Sequence, residues 1–238
     1  MAIAKVIGKS VSSLSRIQGL TPPVDSATKI LWHCDGTNGS TSFPDSSGNG
    51  NNASVLGNTQ VTTSVKYFGT GSCYVDGVGD RLYVTTSDLA VGTGDYTIEF
   101  WCRFPVLPGT YNTFMQHGPY YYTHYANNPP TQLWINYVGQ GAYFTQSYAF
   151  SLNTWYHHAF SRSSGTMRVF INGVQLGPNS SHTYNYTENY IYMGLDGTTG
   201  QPWKGWIDEF RFSNVARYTS NFSLKTAPYG QISKIAGV

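Results

Sequence analysis

The stretch GWIDEFRFSNVAR at residues 205–217 decides how the rest of this chain is interpreted. Apolar and polar side chains alternate along it, which predicts a β-strand. The alternation puts Trp206, Asp208, Phe210 and Phe212 on one face of that strand. An acidic side chain among aromatic neighbours is costly to bury unless a partner compensates it. Asp208 is therefore the first candidate functional residue.

Length and composition suit one large all-β domain or two small ones. The chain has 238 residues, 26 of them Gly and 19 Tyr, and both types favour turns and pleated strands over helices. Only 11% of residues are charged and the net charge is +2, so neither nucleic acid nor a membrane surface is an expected partner. The first residues lack the apolar run of a secretory signal, and no stretch is long enough to span a bilayer.

The three cysteines predict buried free thiols. Cys34, Cys73 and Cys102 are odd in number, so they cannot all pair within the chain, and each lies in an apolar run typical of a strand. No CxxC motif or Cys/His spacing indicates zinc.

The chain divides into three segments. Residues 1–28 combine basic and apolar residues and end in an extended segment at Pro22-Pro23. They predict either a disordered tail or an arm that becomes ordered only against a partner protein, with a transit peptide as a further alternative. Residues 29–222 contain the strand patterns, and residues 223–238 read as a short basic tail.

Several motifs resemble one family. They are a DSSGNG loop at residues 45–50, TIEFWCRF at 97–104, WYHHAF at 155–160, VFINGV at 169–174 and the closing stretch at 205–217. Together they resemble laminin G-like domains of the concanavalin A-like lectin/glucanase superfamily, of the type found in phage structural proteins. Periodicity alone predicts an antiparallel β-sandwich, with a tight turn at Asn172-Gly173. The resemblance implies an all-β jelly-roll sandwich over about residues 28–222, preceded by an extended N-terminal arm.

The sequence does not predict an enzyme. Glucanases of this superfamily use a Glu-x-Asp-x-x-Glu strand, since glycoside hydrolysis needs two carboxylates beside the scissile bond, and that spacing does not occur here. Asp208 and Glu209 are adjacent and would lie on opposite faces of a strand. His157 and His158 would also point to opposite faces, where structural roles are expected.

Four residues predict a cation site. Asp35 ends the first strand, Asp45 and Asn49 lie in the polar loop after it, and Asp208 lies on the closing strand. Carboxylate and amide oxygens suit Ca²⁺, and the resemblance implies structural calcium near this loop. The alternatives are an Asx-turn network, in which Asp45 and Asn49 bond their own backbone, or another cation.

Aromatic residues predict a sugar-binding surface. The candidates are Tyr120, Tyr121, Tyr122, Tyr125, Trp134 and Trp203. Successive side chains of a strand alternate between faces, so we expect at least one phenol of Tyr120–Tyr122 to be exposed. The alternative is packing in the core or at a subunit interface.

Two functional hypotheses follow from these observations. The first is a non-enzymatic structural protein in the virion of a tailed bacteriophage, either decorating the head or associated with the tail. It would bind other virion proteins through residues 1–28, form a homo-oligomer on the particle and display a lectin-like domain that binds host glycans. The second is a free, extracellular carbohydrate-binding module or lectin.

Overall fold

The computed structural model describes residues 24–106, 111–125, 132–137, 141–194 and 203–230. Their regular secondary structure is almost entirely β-strand, which confirms the predicted fold class. A short 3-10 helix spans Ser87–Leu89. The strands are β1 (Thr28–Trp32), β2 (Ser54–Leu56), β3 (Gln60–Thr62), β4 (Ser72–Asp76), β5 (Arg81–Thr85), β6 (Tyr96–Arg103), β7 (Tyr111–His117), β8 (Tyr120–Tyr125), β9 (Gln132–Tyr137), β10 (Gly141–Ser147), β11 (Tyr156–Ser163), β12 (Thr166–Ile171), β13 (Val174–Gln175), β14 (Ser180–Ser181), β15 (Tyr190–Gly194) and β16 (Lys204–Ser213).

Two antiparallel sheets form a sandwich. The nine-stranded sheet has the order β13-β12-β11-β6-β16-β4-β3, with β1 also paired to β16 and β14 to β12. The seven-stranded sheet has the order β10-β9-β8-β7-β15-β5-β2. Strand β16, the closing stretch of the sequence, lies between β6 and β4 in the larger sheet. It also pairs with β1, the first strand.

Aromatic side chains dominate the core between the sheets. Trp32 of β1 stacks on Phe210 of β16, with ring centroids 4.6 Å apart. Phe100 and Phe160 of the same sheet and Phe114 of the other are fully buried in this cluster. Burial of each such side chain contributes about 1.5–3 kcal/mol to folding.

A β-bulge at Asp208 and Glu209 interrupts the alternation of β16. The register against β6 shifts between Asp208 and Arg211, and Glu209 has a φ of 51°. A bulge adds one residue to one strand, so side chains beyond it change faces. Ile207 and Phe210 consequently both point into the core. The prediction that Trp206 shares a face with Phe210 and Phe212 is wrong, since Trp206 lies on the outer face near Tyr74.

The C-terminal segment covers the outer face of the nine-stranded sheet. Tyr218 and Phe222 stack with their ring centroids 3.5 Å apart. Tyr229 is only 5% exposed, and its backbone N–H donates to Glu209. Residues 223–230 therefore belong to the domain, although the sequence assigned them to a tail. Of that tail, residues 231–238 lie outside the described residues, as do residues 1–23 of the arm.

The predicted turn at Asn172-Gly173 is confirmed. It joins β12 to β13, and both residues have positive φ, 50° and 78°. This conformation suits Asn-Gly and matches the twist of a hairpin. The backbone N–H of Phe222 donates to the carbonyl of Gly173 at 2.9 Å, so the turn also holds the covering segment.

Candidate functional site

Asp45 and Asn49 form a hydrogen-bonded loop against β1. The Asp45 carboxylate accepts bonds from the backbone N–H groups of Leu31, Ser47 and Asn51 at 2.9 Å each. The amide group of Asn49 donates to the carbonyl of Thr28 at 3.0 Å. The bond from Ser47 to Asp45 is an Asx turn of the kind that the alternative expected, whereas the Asn49 amide bonds to β1 and not to its own loop backbone.

Asp35 and Asp208 instead hold a second loop, residues 67–71. Asp208 Oδ2 accepts the backbone N–H groups of Tyr67 and Phe68 at 2.7 and 3.0 Å. Asp35 Oδ1 accepts the N–H and the hydroxyl of Thr70. The bulge of β16 thus turns Asp208 away from the core and toward this loop.

The Asp208 side chain is buried and incompletely paired. Its Oδ1 has no hydrogen-bond partner among the described residues. Burial raises the pKa of Asp208 to about 8, and the nearby charges of Glu209 and Asp35 act in the same direction, against the two N–H donors. The carboxyl group is therefore suited to hold a proton, or a cation in its place.

The predicted cation ligands do not form one cluster. Among the described residues, one set of three His, Cys, Asp or Glu side chains is close enough to share an ion. That set does not include Asp35, Asp45 or Asp208. Asp45 and Asn49 bond to β1, whereas Asp35 and Asp208 bond to residues 67–71. Calcium therefore does not fit these four residues as one site, and an ion at Asp208 stays a prediction.

Most of the aromatic candidates lie in the core. Tyr120, Tyr122 and Trp203 are 6%, 0% and 1% exposed and pack between the sheets. These three cannot contact a ligand at the surface, and core packing is the correct interpretation for them. Tyr125 lies in β8, but its side chain is outside the described residues. Only Tyr121 and Trp134 are left as outward-facing candidates.

The expectation of an exposed phenol in Tyr120–Tyr122 is also wrong. Tyr121 does point to the outer face, but it is only 7% exposed. Its cross-strand neighbours there are Gln116 and Asn136. Alternation correctly assigns the direction of each side chain, but it does not predict how densely the outer face is packed.

The outer face of the seven-stranded sheet, which we call the aromatic face, carries a continuous row of polar and aromatic side chains. The row crosses five neighbouring strands and consists of Tyr83, Tyr192, Gln116, Tyr121 and Asn136, paired in that order. The first two rings and Asn136 are half-buried. Core residues alternate with all five along their strands. Gln116 and Tyr121, in the middle of the row, are only 3% and 7% exposed, so the row presents the rings of Tyr83 and Tyr192 at one end and the amide of Asn136 at the other.

Two further features flank this row. On one side, the Arg81 guanidinium lies over the rings of Tyr192 and Tyr83, 4.6 and 5.3 Å from their centroids. On the other side, Trp134 is half-buried and meets the ring of Tyr111 edge-on at 5.7 Å. The aromatic face therefore offers flat apolar surfaces at both ends of a polar row.

The opposite outer face, which we call the covered face, contains a buried ionic network. Glu99 of β6 accepts hydrogen bonds from Arg211 at 2.8 Å and from the phenols of Tyr218 and Tyr229 at 2.8 and 2.7 Å. His157 Nε2 lies 3.3 Å from the same carboxylate. Although burial favours the protonated acid, Arg211 and His157 hold the pKa of Glu99 well below its usual range. This network gives His157 the predicted structural role.

The fold also assembles a cluster that the sequence did not predict. Cys102, His124 and His158 are fully buried, and one ligand atom from each lies within 4.8 Å of the others. His158 points into the core while His157 points to the covered face, as the alternation predicted. The three residues are far apart in sequence, so no local spacing could reveal them.

The family described as the concanavalin A-like lectin/glucanases superfamily, in its laminin G-like branch, matches residues 78–220, more than half of the chain. The chain belongs to this family. The match includes six of the seven strands of the aromatic face and most of the nine-stranded sheet. No curated protein sequence matches the chain.

Solved structures share the fold at low sequence identity. Domain 4 of an extracellular arabinanase from Geobacillus stearothermophilus, in complex with arabinotriose, has a TM-score of 0.56 and 19% identity, covering 79% of this chain and 93% of that one. A Trypanosoma rangeli sialidase in complex with sialic acid has a TM-score of 0.63 and 14% identity, covering 87% and 35%. The binding domain of botulinum neurotoxin serotype D has a TM-score of 0.59 and 15% identity, covering 80% and 49%.

These similar structures include enzymes and binding domains, so they show the fold alone. The chain spans about half of the neurotoxin binding domain and about a third of the sialidase. Within the described residues, no helix is long and apolar enough to cross a membrane.

Proposed function

We propose that this laminin G-like domain is a non-enzymatic carbohydrate-binding domain whose ligand lies on the aromatic face. The observation that carries the proposal is the row of Tyr83, Tyr192, Gln116, Tyr121 and Asn136 across five strands. Binding sites for small ligands combine apolar surfaces with a few fixed polar groups. The half-buried members of the row, Tyr83, Tyr192 and Asn136, have this composition, and the row lies on paired strands instead of loops.

The chemistry of the face suits a sugar. The half-buried rings of Tyr192 and Trp134 can pack against the C–H surface of a pyranose. The indole N–H of Trp134 donates to the side chain of Gln132 at 2.8 Å, which fixes the orientation of that ring. Asn136 is half-buried and carries an amide that both donates and accepts hydrogen bonds, whereas the buried amide of Gln116 donates to the carbonyl of Gly118 at 3.0 Å and supports the face from within. Because these groups stand on paired strands, binding requires little ordering of the protein.

The charge of the face defines the ligand class further. The seven strands of this sheet contain no Asp or Glu, and Arg81 is their single Lys or Arg. Neutral and anionic glycans therefore meet no repulsion from these strands. Since glycoside hydrolysis needs two carboxylates beside the bond, the same observation supports binding without catalysis. Glu99 lies on the other sheet and is occupied by Arg211.

The binding proposal is tested by comparing two tryptophans on a glycan array. Trp134→Ala removes a ring from the aromatic face, whereas Trp206→Ala removes a similarly half-buried ring from the outer face of the other sheet. We expect wild type and Trp206→Ala to bind the same glycans and Trp134→Ala to lose at least tenfold in affinity. Equal binding by both variants would place the site elsewhere.

We further propose that the domain is carried on the particle of a tailed bacteriophage, as a head-decorating or tail-associated protein that adheres to host glycans. The support is the resemblance to phage laminin G-like domains and the basic, apolar composition of residues 1–28. Deletion of residues 1–23 should abolish incorporation into particles, detected by mass spectrometry, while glycan binding persists. If the intact protein is absent from particles, a free lectin is the better assignment.

A further inference from the structure

The Cys102–His158–His124 cluster lies between the two sheets. Cys102 and His158 belong to neighbouring strands β6 and β11 of the nine-stranded sheet, and His124 projects from β8 of the other sheet. Cys102 Sγ is 3.4 Å from His158 Nδ1, and His158 Nε2 is 3.2 Å from His124 Nε2. All three side chains have an exposed fraction of 0%. Three polar groups are thus buried together in an otherwise aromatic environment.

Hydrogen bonding alone does not satisfy this cluster. If the thiol donates to His158, then His158 donates to His124, and His124 Nδ1 carries a hydrogen without an acceptor. If the chain runs in reverse, the same nitrogen is an acceptor without a donor. In either case His124 Nδ1 is buried without a partner among the described residues. An unsatisfied buried polar group costs about 1–3 kcal/mol, so the cluster needs a further explanation.

The surroundings restrict which ion such a cluster could accept. The ring of His158 lies parallel to those of Phe100 and Phe150, with centroids 5.5 and 5.7 Å away. Phe114 packs against His124 at 4.5 Å. A net charge in this environment would be strongly unfavourable. Two neutral imidazoles and one thiolate carry a charge of −1, which a monovalent cation cancels and a divalent cation exceeds.

We propose that Cys102, His124 and His158 bind one Cu(I) ion inside the sandwich. Thiolate ligands favour Cu(I), and imidazole is a common copper ligand. On binding, the Cys102 S–H bond is replaced by an S–Cu bond and the proton leaves to solvent, so no electron transfer is required. Ligand atoms around a three-coordinate ion with bonds of about 2.0–2.3 Å lie about 3.5–4 Å apart. The present spacing is within 4.8 Å. Cys102 and His124 approach opposite nitrogens of His158, so binding requires these side chains to close around one of the two.

The proposal is tested by Cu(I) transfer to the full chain. Wild type and variants are refolded anaerobically with a coloured Cu(I)–chelator complex, whose bleaching reports transfer. We expect wild type to take one equivalent and Cys102→Ser to take at least tenfold less. Cys73→Ser is the matched control, because Cys73 is equally buried in the core but does not belong to the cluster. It should still take one equivalent.

X-ray absorption of the copper-loaded wild type gives a second readout that does not depend on whether a variant folds. One sulfur and two imidazole ligands per copper support the proposal. Coordination by sulfur alone, absence of transfer to wild type, or equal transfer to Cys102→Ser would overturn it. Retention of Zn²⁺ in preference to Cu(I) would overturn the charge argument and with it the assignment of the ion.

Discussion

The two outer faces of the sandwich use tyrosine in opposite ways. On the covered face, Tyr218 and Tyr229 belong to the C-terminal segment that covers the sheet, and both phenols donate to the buried carboxylate of Glu99. On the aromatic face, the rings of Tyr83 and Tyr192 remain half-buried beside amides. The same residue type therefore completes an internal network on one face and presents surface on the other.

Because of this difference, the covered face should determine stability and the aromatic face should determine ligand binding. A buried network is sensitive to loss of any member, because each remaining partner is left unsatisfied. A half-buried ring contributes less to folding, but it is accessible to a ligand. Variants of the covered face should therefore change the free energy of unfolding, and variants of the aromatic face should change affinity.

The largest effect is expected for Glu99→Gln. The substitution leaves Arg211 buried without its carboxylate, and breaking a buried ion pair in this way costs about 3–5 kcal/mol. Urea unfolding measures the loss. The control is Asp25→Asn, which breaks the ion pair of Arg217 with an aspartate whose side chain is 53% exposed, and should cost about 0–1 kcal/mol. Equal losses would mean that burial of the network is unimportant.

The Glu99 network also makes a pH-dependent contribution. The pKa of Glu99 is lowered in the folded state, so the unfolded chain takes up protons first as the pH falls. Its contribution is complete at neutral pH and is lost progressively below about pH 4.5. Glu99→Gln should remove this part of the acid sensitivity, as measured by unfolding at several pH values.

Removal of one phenol should have an intermediate effect. Tyr229→Phe deletes a 2.7 Å hydrogen bond to the Glu99 carboxylate and a contact to His157, and bonds to charged groups contribute about 1.5–3 kcal/mol. Tyr83→Phe on the aromatic face is the comparison and should change stability by less than about 0.5 kcal/mol. If both substitutions are neutral, the phenols of the covered face do not stabilise it.

Asp208→Asn should alter how stability depends on pH. Because the pKa of Asp208 is raised to about 8, the folded protein retains a proton between about pH 4 and 8 that the unfolded chain releases. Stability of wild type should therefore fall as pH rises, by up to about 1.4 kcal/mol per unit, and Asp208→Asn should lack this decline. The measurement is Tm against pH in the presence of chelator.

The same variant tests calcium. If an ion occupies Asp208, wild type should have a higher Tm in calcium than in chelator, and Asp208→Asn should have a lower Tm in calcium and no response to chelator. If the Tm of the wild type does not change on chelation, no calcium ion is bound at Asp208, and the carboxyl group holds a proton instead.

Local patterns predicted the strands and the family, whereas non-local packing determined the site. Alternation and the Asn172-Gly173 turn depend on neighbouring residues, so the sequence was sufficient for them. The bulge at Asp208 was not predictable from alternation, because a regular pattern gives no sign of an added residue. One added residue moves every later side chain of the strand to the other face. Burial of Tyr120 and Tyr122 depends on the facing sheet. The row of the aromatic face depends on which strands are neighbours, which periodicity does not specify.

The most direct test of the central claim is titration calorimetry of the array's best glycan with wild type, Trp134→Ala and Trp206→Ala. If the ligand lies on the aromatic face, Trp134→Ala alone should lose at least tenfold in affinity, with both variants folded and their stabilities within about 1 kcal/mol of wild type. Unchanged affinity in Trp134→Ala, or an equal loss in Trp206→Ala, would contradict a carbohydrate site on the aromatic face.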